Sequence, residues 1–537
     1  MLNYIVFFIF LVVALYSFSV NFIRYIHMFQ LNSYHASEQF KWIGENIGEV
    51  VKRHILPLIA AVFAFVSSFV MKGSLFGADL TETPFNICSW DFIICTMLMA
   101  AGLLFCKTKP AKKKLVFTPR VIRMCVTSAV VYGLVCVLSV VFLSDSGLLL
   151  PVLCLWQIFS LIMPTLGNFI NKPIEKGINN YYIKDAKRII NELPNLVTIG
   201  ITGSYGKTST KFYLNKLLSA KYNVIMTPES YNTTMGVVKT VRNSLNATYD
   251  YFICEMGAKG VGEIKEICDI VKPKHSMITS IGEQHLETFK SVDNIIKTKF
   301  EIADCITDGI VFLNYDNVYI KNREIDKNVV SYGLSQSEDY YADNISVTAK
   351  GTSFIVHHED EQCEFSTKLI GEHNVQNIVG AIAAANTLGV SFDELKTPVR
   401  RLEAVPHRME IIDRGGNIII DDAFNSNPAG ARAALDTMAL MEGYKILITP
   451  GMVELGEREY DLNKAFAVYA AKVCDYVIAV GIKQAKAITD GLSEAGYPEE
   501  KSYVARDLNE ALAKADTLKT GGAVKIILLE NDLPDNY

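Results

Sequence analysis

Long apolar runs dominate the first third of the chain, and the remainder alternates short apolar segments with polar, helix-length stretches. A helix needs about 20 apolar residues to cross the hydrocarbon core of a bilayer. Five stretches qualify, at about 2 to 23, 55 to 71, 87 to 106, 121 to 143 and 147 to 170. The first has no basic leading segment and no small-residue cleavage site, and four more runs follow it, so it reads as a retained helix. Beyond Asn171 the pattern changes. Leu196-Val197-Thr198-Ile199, Met277-Ile278-Thr279, Lys445 to Thr449 and Tyr476 to Val480 read as buried strands separated by helices, and short strands alternate around Lys350-Gly351-Thr352. The pattern predicts an all-α transmembrane domain over 1–171 followed by α/β structure over 172–537.

Basic residues in short loops stay on the cytoplasmic side. The loop after the first run holds Arg24, Lys41, Lys52 and Arg53, and the segment after the third holds Lys107, Lys109, Lys112, Lys113, Lys114 and Arg120. The loop after the second run carries only Lys72 against Asp79 and Glu82, and the turn after the fourth is Ser144-Asp145-Ser146-Gly147. A multi-pass plasma-membrane protein is expected, with its N-terminus outside and everything beyond Asn171 in the cytoplasm. The Lys112-Lys113-Lys114 run reads as a topology determinant or as a contact for anionic head groups. Asp91 and Gln157 are polar residues within or near the runs, and Asp91 is expected to be solvated at the outer boundary.

A length of 537 residues suits about three units. The net charge of -5 gives no broad cationic field, which argues against nucleic acid as a partner. The 11 cysteines are scattered without Cys-x-x-Cys spacing, as expected of reduced, packed thiols.

The strand at Leu196–Ile199 runs into Gly200-Ile201-Thr202-Gly203-Ser204-Tyr205-Gly206-Lys207-Thr208-Ser209-Thr210, and Phe212, Leu217 and Leu218 then suit an apolar helix face. Strand, glycine loop and helix in this order make a phosphate cradle. Backbone N–H groups surround phosphate oxygens, Lys207 reaches the terminal phosphates and Thr208 offers its hydroxyl to magnesium. The spacing departs from the strict Walker form, since position 201 is Ile where a glycine would stand. Thr-Gly-x-x-Gly-Lys-Thr-Ser instead resembles the ATP loop of the Mur ligase and folylpolyglutamate synthase superfamily.

Downstream segments resemble the same superfamily, in order, from residue 180 to about 530. Tyr231-Asn232-Thr233-Thr234-Met235-Gly236-Val237 is similar to the loop that begins the family's substrate contacts, which implies substrate roles for Asn232, Thr233 and Thr234. Asp250 to Gly257 is a strand ending in Glu255, well placed for magnesium. His285 and, fourteen residues on, Lys299 resemble the family's second metal site, where the lysine carries a carbamate that turns a cation into an oxygen-rich anion suited to magnesium. Asn377, in His373-Asn374-Val375-Gln376-Asn377, matches a nucleotide-facing residue, while Asn374 reads as a helix N-cap. Val405-Pro406-His407-Arg408-Met409-Glu410 resembles the linker whose arginine reaches ATP. Asp421-Asp422-Ala423-Phe424-Asn425-Ser426-Asn427-Pro428 is similar to the branch that adds D-alanyl-D-alanine to a UDP-linked muramoyl tripeptide, which implies an ATP contact for Asp422 and substrate-side places for Asn425 and Asn427.

The resemblance implies a P-loop central domain over 172–410 that uses ATP and Mg2+ and a Rossmann-like C-terminal domain over 411–537, with Gly203, Ser204, Tyr205, Gly206, Lys207, Thr208, Ser209, Asn377, Arg408 and Asp422 on the nucleotide. It implies Thr208, Glu255, His285 and Lys299 on metal, and Lys207, His285 and Lys299 in the catalytic centre. The reaction implied is ADP-forming amide ligation through an acyl phosphate, in cell-wall or envelope synthesis. The partners are the lipid bilayer, a peptide or muropeptide-like carboxylate, and an amino acid or dipeptide amine. Two departures bear on the substrate. Apolar helices replace the family's UDP-sugar domain, which brings in a lipid-linked carboxylate beside a UDP-linked one. The ending Glu530-Asn531-Asp532-Leu533-Pro534-Asp535-Asn536-Tyr537 also differs from the expected Lys-Gly-Ser-Arg type. An ATP-driven transporter and a silent membrane scaffold are the competing readings.

Overall fold

The computed structural model describes residues 2–72, 89–106, 113–144, 147–283, 286–424, 427–453, 455–481 and 483–532. The chain forms two compact units that divide between Asn179 and Asn180.

The first unit is helical: α1 (Leu2–Leu31), α2 (Ala36–Glu45), α3 (Ile47–Lys72), α4 (Ser89–Leu104), α5 (Pro119–Leu143), α6 (Leu149–Leu155), a 3₁₀ helix (Trp156–Leu161) and α7 (Met163–Asn191). Among the described residues three helices, not five, are long and apolar enough to cross a membrane alone: Tyr4–Leu31, Ile47–Ser68 and Pro119–Leu143. The run at 147 to 170 folds as two pieces bent by 66° at Ile162, and the run at 87 to 106 contains the shorter apolar helix Trp90–Leu104. Apolar composition marks these segments, and Pro164, in the first turn of α7, marks where the helix restarts after the break. The unit's division falls inside α7, so residue 171 carries no break.

Several polar groups inside this unit are paired with one another. Arg53, 2 % exposed, donates to Glu49 at 3.1 Å, Asn21 Oδ1 at 3.1 Å and the Cys106 carbonyl at 3.0 Å. Arg24 donates to Glu49 at 2.9 Å. Asp91 is buried instead of solvated and accepts from Ser67 Oγ at 2.9 Å, and buried Gln157 donates to Tyr132. Basic loop residues 107–112 lie outside the described residues.

The second unit is α/β. Its first sheet contains β1 (Val197–Thr202), β2 (Val224–Met226), β3 (Tyr251–Glu255), β4 (His275–Ile278), β5 (Ile310–Asn314), β6 (Asn328–Gly333), β7 (Tyr340–Thr348), β8 (Gly351–His358) and β9 (Glu361–Thr367). The order is β2-β3-β1-β4-β5-β6-β7-β8-β9, parallel through β7 and antiparallel from β7 to β9. Both faces are buried: Ile253 faces one core, while Phe252 and Cys254 face the other. Parallel sheets covered on both sides read as continuous apolar runs, which is why these strands were legible.

The second sheet contains β10 (Glu410–Arg414), β11 (Asn417–Asp422), β12 (Tyr444–Thr449), β13 (Tyr476–Val480), β14 (Ser502–Ala505) and β15 (Lys525–Glu530), in the order β10-β11-β15-β12-β13-β14. All pairs but β10 with β11 are parallel. Full burial of a side chain such as Leu447 or Leu528 contributes roughly 1.5–3 kcal/mol. The last strand, β15, inserts centrally between β11 and β12, which brings Glu530 beside Asp422 in register. Among the described residues every cysteine is a free thiol, as expected.

Candidate active site

Strand β1 lies between β3 and β4, so connections leave its C-terminal end toward both sides and open a crevice there. The loop Gly203–Gly206 fills that end and leads into α8 (Lys207–Leu218). Glycine is required twice. Gly203 and Gly206 have φ of +155° and +78°, and a Cβ would stand 2.1 Å from Thr279 Oγ1 at the first and 2.5 Å from Asn377 Oδ1 at the second. The loop is strapped to the segment after β4: Ser204 N–H donates to the Ser280 carbonyl at 2.7 Å, Tyr205 N–H to Ser280 Oγ at 2.8 Å and Tyr205 Oη to the Glu283 carbonyl at 2.8 Å. Open N–H groups at the start of α8 then favour an anion.

Lys207 folds back over this loop, donating from Nζ to the Gly203 carbonyl at 2.7 Å and the Ser204 carbonyl at 3.1 Å. Burial lowers its pKa to about 8, against the opposing pull of Glu255. Thr208, the next residue, donates from Oγ1 to Glu255 Oε1 at 3.1 Å, and Asn232 Nδ2 reaches the same oxygen at 3.0 Å. Lys211 Nζ stands 3.1 Å from Glu255 Oε2. Burial pushes the Glu255 carboxyl up, but Lys211 and Lys207 outweigh it and hold the group below its ordinary value. Lys211 was not foreseen. Its signal in the sequence is a lysine one helical turn after Lys207, on a face otherwise apolar, and it is fully buried.

Lys299, on the helix Val292–Asp304, is 3 % exposed, and burial together with Lys207 drives its amine toward the neutral form. Thr233 and Thr234 are occupied structurally: Thr233 Oγ1 caps α9 (Thr234–Ser244) by accepting from Gly236 N–H, and Thr234 Oγ1 donates to Glu266 at 2.7 Å. His285 and Asn425 lie outside the described residues.

On the other side of the loop a cavity of about 530 Å³ is lined by Tyr205, Gly206, Ser209, Asn377, Arg408, Asp422 and Asn427, among others. Asn377 comes from the helix Glu372–Thr387 and accepts from Thr210 Oγ1 at 3.2 Å, which joins this cavity to the loop. Asn374 is not the N-cap of that helix. Gly371 is, and Asn374 sits inside the first turn with its amide on the Ile370 carbonyl at 2.9 Å. Local polarity suggested the cap, while the glycine's φ of +103° decided it. His373 also lines the cavity, and burial lowers it to about 4.

Arg408 is flanked by His407 and Met409, both in left-handed backbone at φ +61° and +53°. Side chains pin this strained segment: Met409 N–H donates to Asp422 Oδ1 at 3.0 Å, and His407 Nδ1 lies 2.7 Å from Asp421 Oδ2. Asn427 Oδ1 caps the helix Pro428–Ala439 at its mouth. Arg458 pairs with Glu283, so the second sheet's segment is tied to the loop after β4. The arrangement can hold a polyphosphate with a hard cation on one side and a nucleoside on the other.

Comparison with known proteins agrees with this geometry. The Mur ligase middle domain family matches residues 201–385, and the Mur ligase glutamate ligase domain family matches residues 407–528. The UDP-N-acetylmuramoyl-tripeptide–D-alanyl-D-alanine ligase of Escherichia coli is 29 % identical over 367 residues, which is 65 % of this chain and 80 % of that protein. The enzyme of the same name from Bacillus subtilis is 29 % identical, covering 65 % of this chain and 78 % of its own length. A crystal structure of MurF from Acinetobacter baumannii superposes with a TM-score of 0.60 at 25 % identity, over 66 % of this chain and 77 % of that one. MurF from Thermotoga maritima, solved with ADP, superposes with a TM-score of 0.58 at 23 % identity and shares the fold.

Proposed function

This chain belongs to the Mur ligase family, and on that premise we propose that it is a membrane-anchored, ADP-forming ligase that joins a carboxylate to an amine in peptidoglycan or related envelope synthesis. The observation that carries the reading is the meeting of Lys207, Thr208 and Glu255 at the C-terminal end of β1, on a loop whose Tyr205 and Gly206 line a cavity with Arg408 and Asp422. The residues fit magnesium: Thr208 Oγ1 and Glu255 Oε1 are hard oxygens 3.1 Å apart, the donor type this ion takes, and these two side chains would hold it. Magnesium would supply charge neutralisation on the phosphate oxygens there.

ATP would lie with its phosphates on the loop and α8 and its nucleoside toward Asn377, Arg408 and Asp422. The acceptor carboxylate takes the γ-phosphoryl group and ADP leaves; the amine then attacks the acyl carbon and releases phosphate. Lys207 balances the charge of the phosphoryl group as it moves. The neutral amine of Lys299 is the form that reacts with carbon dioxide, so a carbamate there supplies a further oxygen ligand. His285 would complete that second site, and Asn232, with Asn425 and Asn427, would border the substrates.

Membrane anchoring rests on the apolar face of α5, where Val126, Val130, Leu134, Val137 and Val141 stand exposed at helical spacing. The helical unit lies outside both matched regions. A bilayer is its natural solvent, with the N-terminus outside and the α/β unit in the cytoplasm. A carboxylate held on a lipid carrier suits that placement beside a UDP-linked one, and the amine is an amino acid or dipeptide.

The test is phosphate release from Mg-ATP by the detergent-solubilised full chain, with amino acids and dipeptides screened against UDP-linked and lipid-linked muropeptides. We expect release that needs one acceptor and one amine, yields ADP and a joined product, and falls by about 10²–10³-fold in Lys207→Ala. Hydrolysis with no joined product in any combination would favour a transporter, and an absence of nucleotide binding would favour a scaffold.

A further inference from the structure

At the C-terminal edge of the second sheet, Asp422 and Glu530 are direct register partners on the parallel strands β11 and β15, so their side chains project from the same face. Both are buried, Asp422 at 1 % exposure and Glu530 at 0 %. Two carboxylates this close and this far from water cannot both remain ionised at neutral pH. Neither Glu530 oxygen receives a hydrogen bond from any N–H or hydroxyl among the described residues, so no donor is present to stabilise a second negative charge. Burial and the Asp422 carboxylate both push the Glu530 carboxyl well above its ordinary value, which puts the pair's single proton on Glu530. Asp422 then keeps the charge. Its Oδ1 holds Met409 N–H at 3.0 Å, in the left-handed stretch His407–Met409 that presents Arg408 to the cavity.

We propose that Glu530 is a positioning residue for nucleotide binding: as the protonated member of a buried carboxyl pair, it donates a hydrogen bond to Asp422 and fixes that carboxylate toward the ATP cavity and the Arg408 linker. The inference rests on the nucleotide reading of Asp422 given above. Glu530 is the last residue of β15, an inner strand of this sheet. Glu530 touches neither ATP nor the reacting atoms, and it acts through Asp422.

The test measures Mg-ATP affinity and the separate values of kcat and KM for ATP in the full-length protein, for Glu530→Gln, Glu530→Leu, Asp422→Ala and the double variant Asp422→Ala with Glu530→Leu. Glutamine keeps the size and an N–H donor, so Glu530→Gln is expected within about twofold of the parent, while Glu530→Leu raises KM for ATP about tenfold with kcat little changed, the scale of one hydrogen bond to a charged group. In the Asp422→Ala background, Glu530→Leu is expected to add nothing. Equal damage from glutamine and leucine, a loss confined to kcat, or additive effects in the double variant would overturn the proposal. Asp422→Ala with unaltered ATP affinity would overturn the nucleotide reading itself, a separate result. Thermal unfolding of each variant identifies a loss that comes from misfolding, and the Glu530→Gln comparison decides the question if Glu530→Leu fails to fold.

Discussion

The helical unit and the α/β unit use the same apolar residues and place them oppositely. Val130, Leu134 and Val137 of α5 stand exposed, whereas Ile446, Leu447 and Ile448 of β12 are buried. The two units also treat buried charge differently. In the helical unit Arg53 meets Glu49, which Arg24 also holds, so the carboxylate has two cations. In the α/β unit Glu255 has one direct ion-pair partner, Lys211, and the other groups on it are neutral donors that a metal can displace or share. A pair that serves structure is over-determined, and a pair at a reaction centre is left open on one side.

The largest effect expected from this contrast is in Lys211→Met. It removes the cation in direct contact with Glu255 and leaves Lys207 as the remaining one acting on it, and should cost about 3–5 kcal/mol of stability in thermal or denaturant unfolding, part of it restored by magnesium. Arg53→Met should cost less than Lys211→Met, because Arg24 stays 2.9 Å from Glu49. A reversed order would break the comparison. Next comes Lys207→Ala, where phosphate release should fall by about 10²–10³-fold with folding intact, since a positioned charge is removed from the phosphoryl group. Then Val130→Arg should disfavour membrane insertion by about 2.5–3.5 kcal/mol, read as loss of protein from the membrane fraction. Leu440→Arg, also at an exposed apolar position but on the α/β unit, should change stability by no more than about 0.5 kcal/mol. Equal tolerance of the two arginines would remove the bilayer from the account.

The smallest effect concerns pH. The folded-state pKa of His373 is about 4 against an ordinary value of 6.5, so as pH falls the unfolded chain takes up the proton first. Its contribution to stability is complete above about 6.5 and is lost as pH falls toward about 4. His373→Asn should flatten that part of the stability profile in acid unfolding curves, with little change at pH 8.

Several elements were legible from pattern alone because one physical rule governs each. The phosphate loop announces itself through Gly203 and Gly206, where no side chain fits, and the strands through continuous apolar runs that only a doubly covered sheet requires. Thr208, Glu255, Asn377, Arg408 and Asp422 were placed by order along the chain and are found around one loop and its cavity. The apolar runs of the first unit were found, but the bend at Ile162 was not, because apolar content alone does not place it; Pro164, at the start of α7, is the residue that marks it. Lys211 and Glu530 were missed for a common reason. Each is a charged residue whose meaning depends on the side chain facing it, and those partners are 44 and 108 residues away in the chain.

The sequence by itself determined the α/β class of the second unit, the phosphate loop and the apolar character of the first unit, because these follow from local periodicity and from the size of a missing side chain. Only the tertiary structure decided which carboxylates are paired with cations and which share a proton. Placing β15 between β11 and β12 set Glu530 against Asp422, and packing α8 against β3 set Lys211 against Glu255. Charge states inside a protein are fixed by neighbours within a few ångströms, and neighbours are what folding supplies.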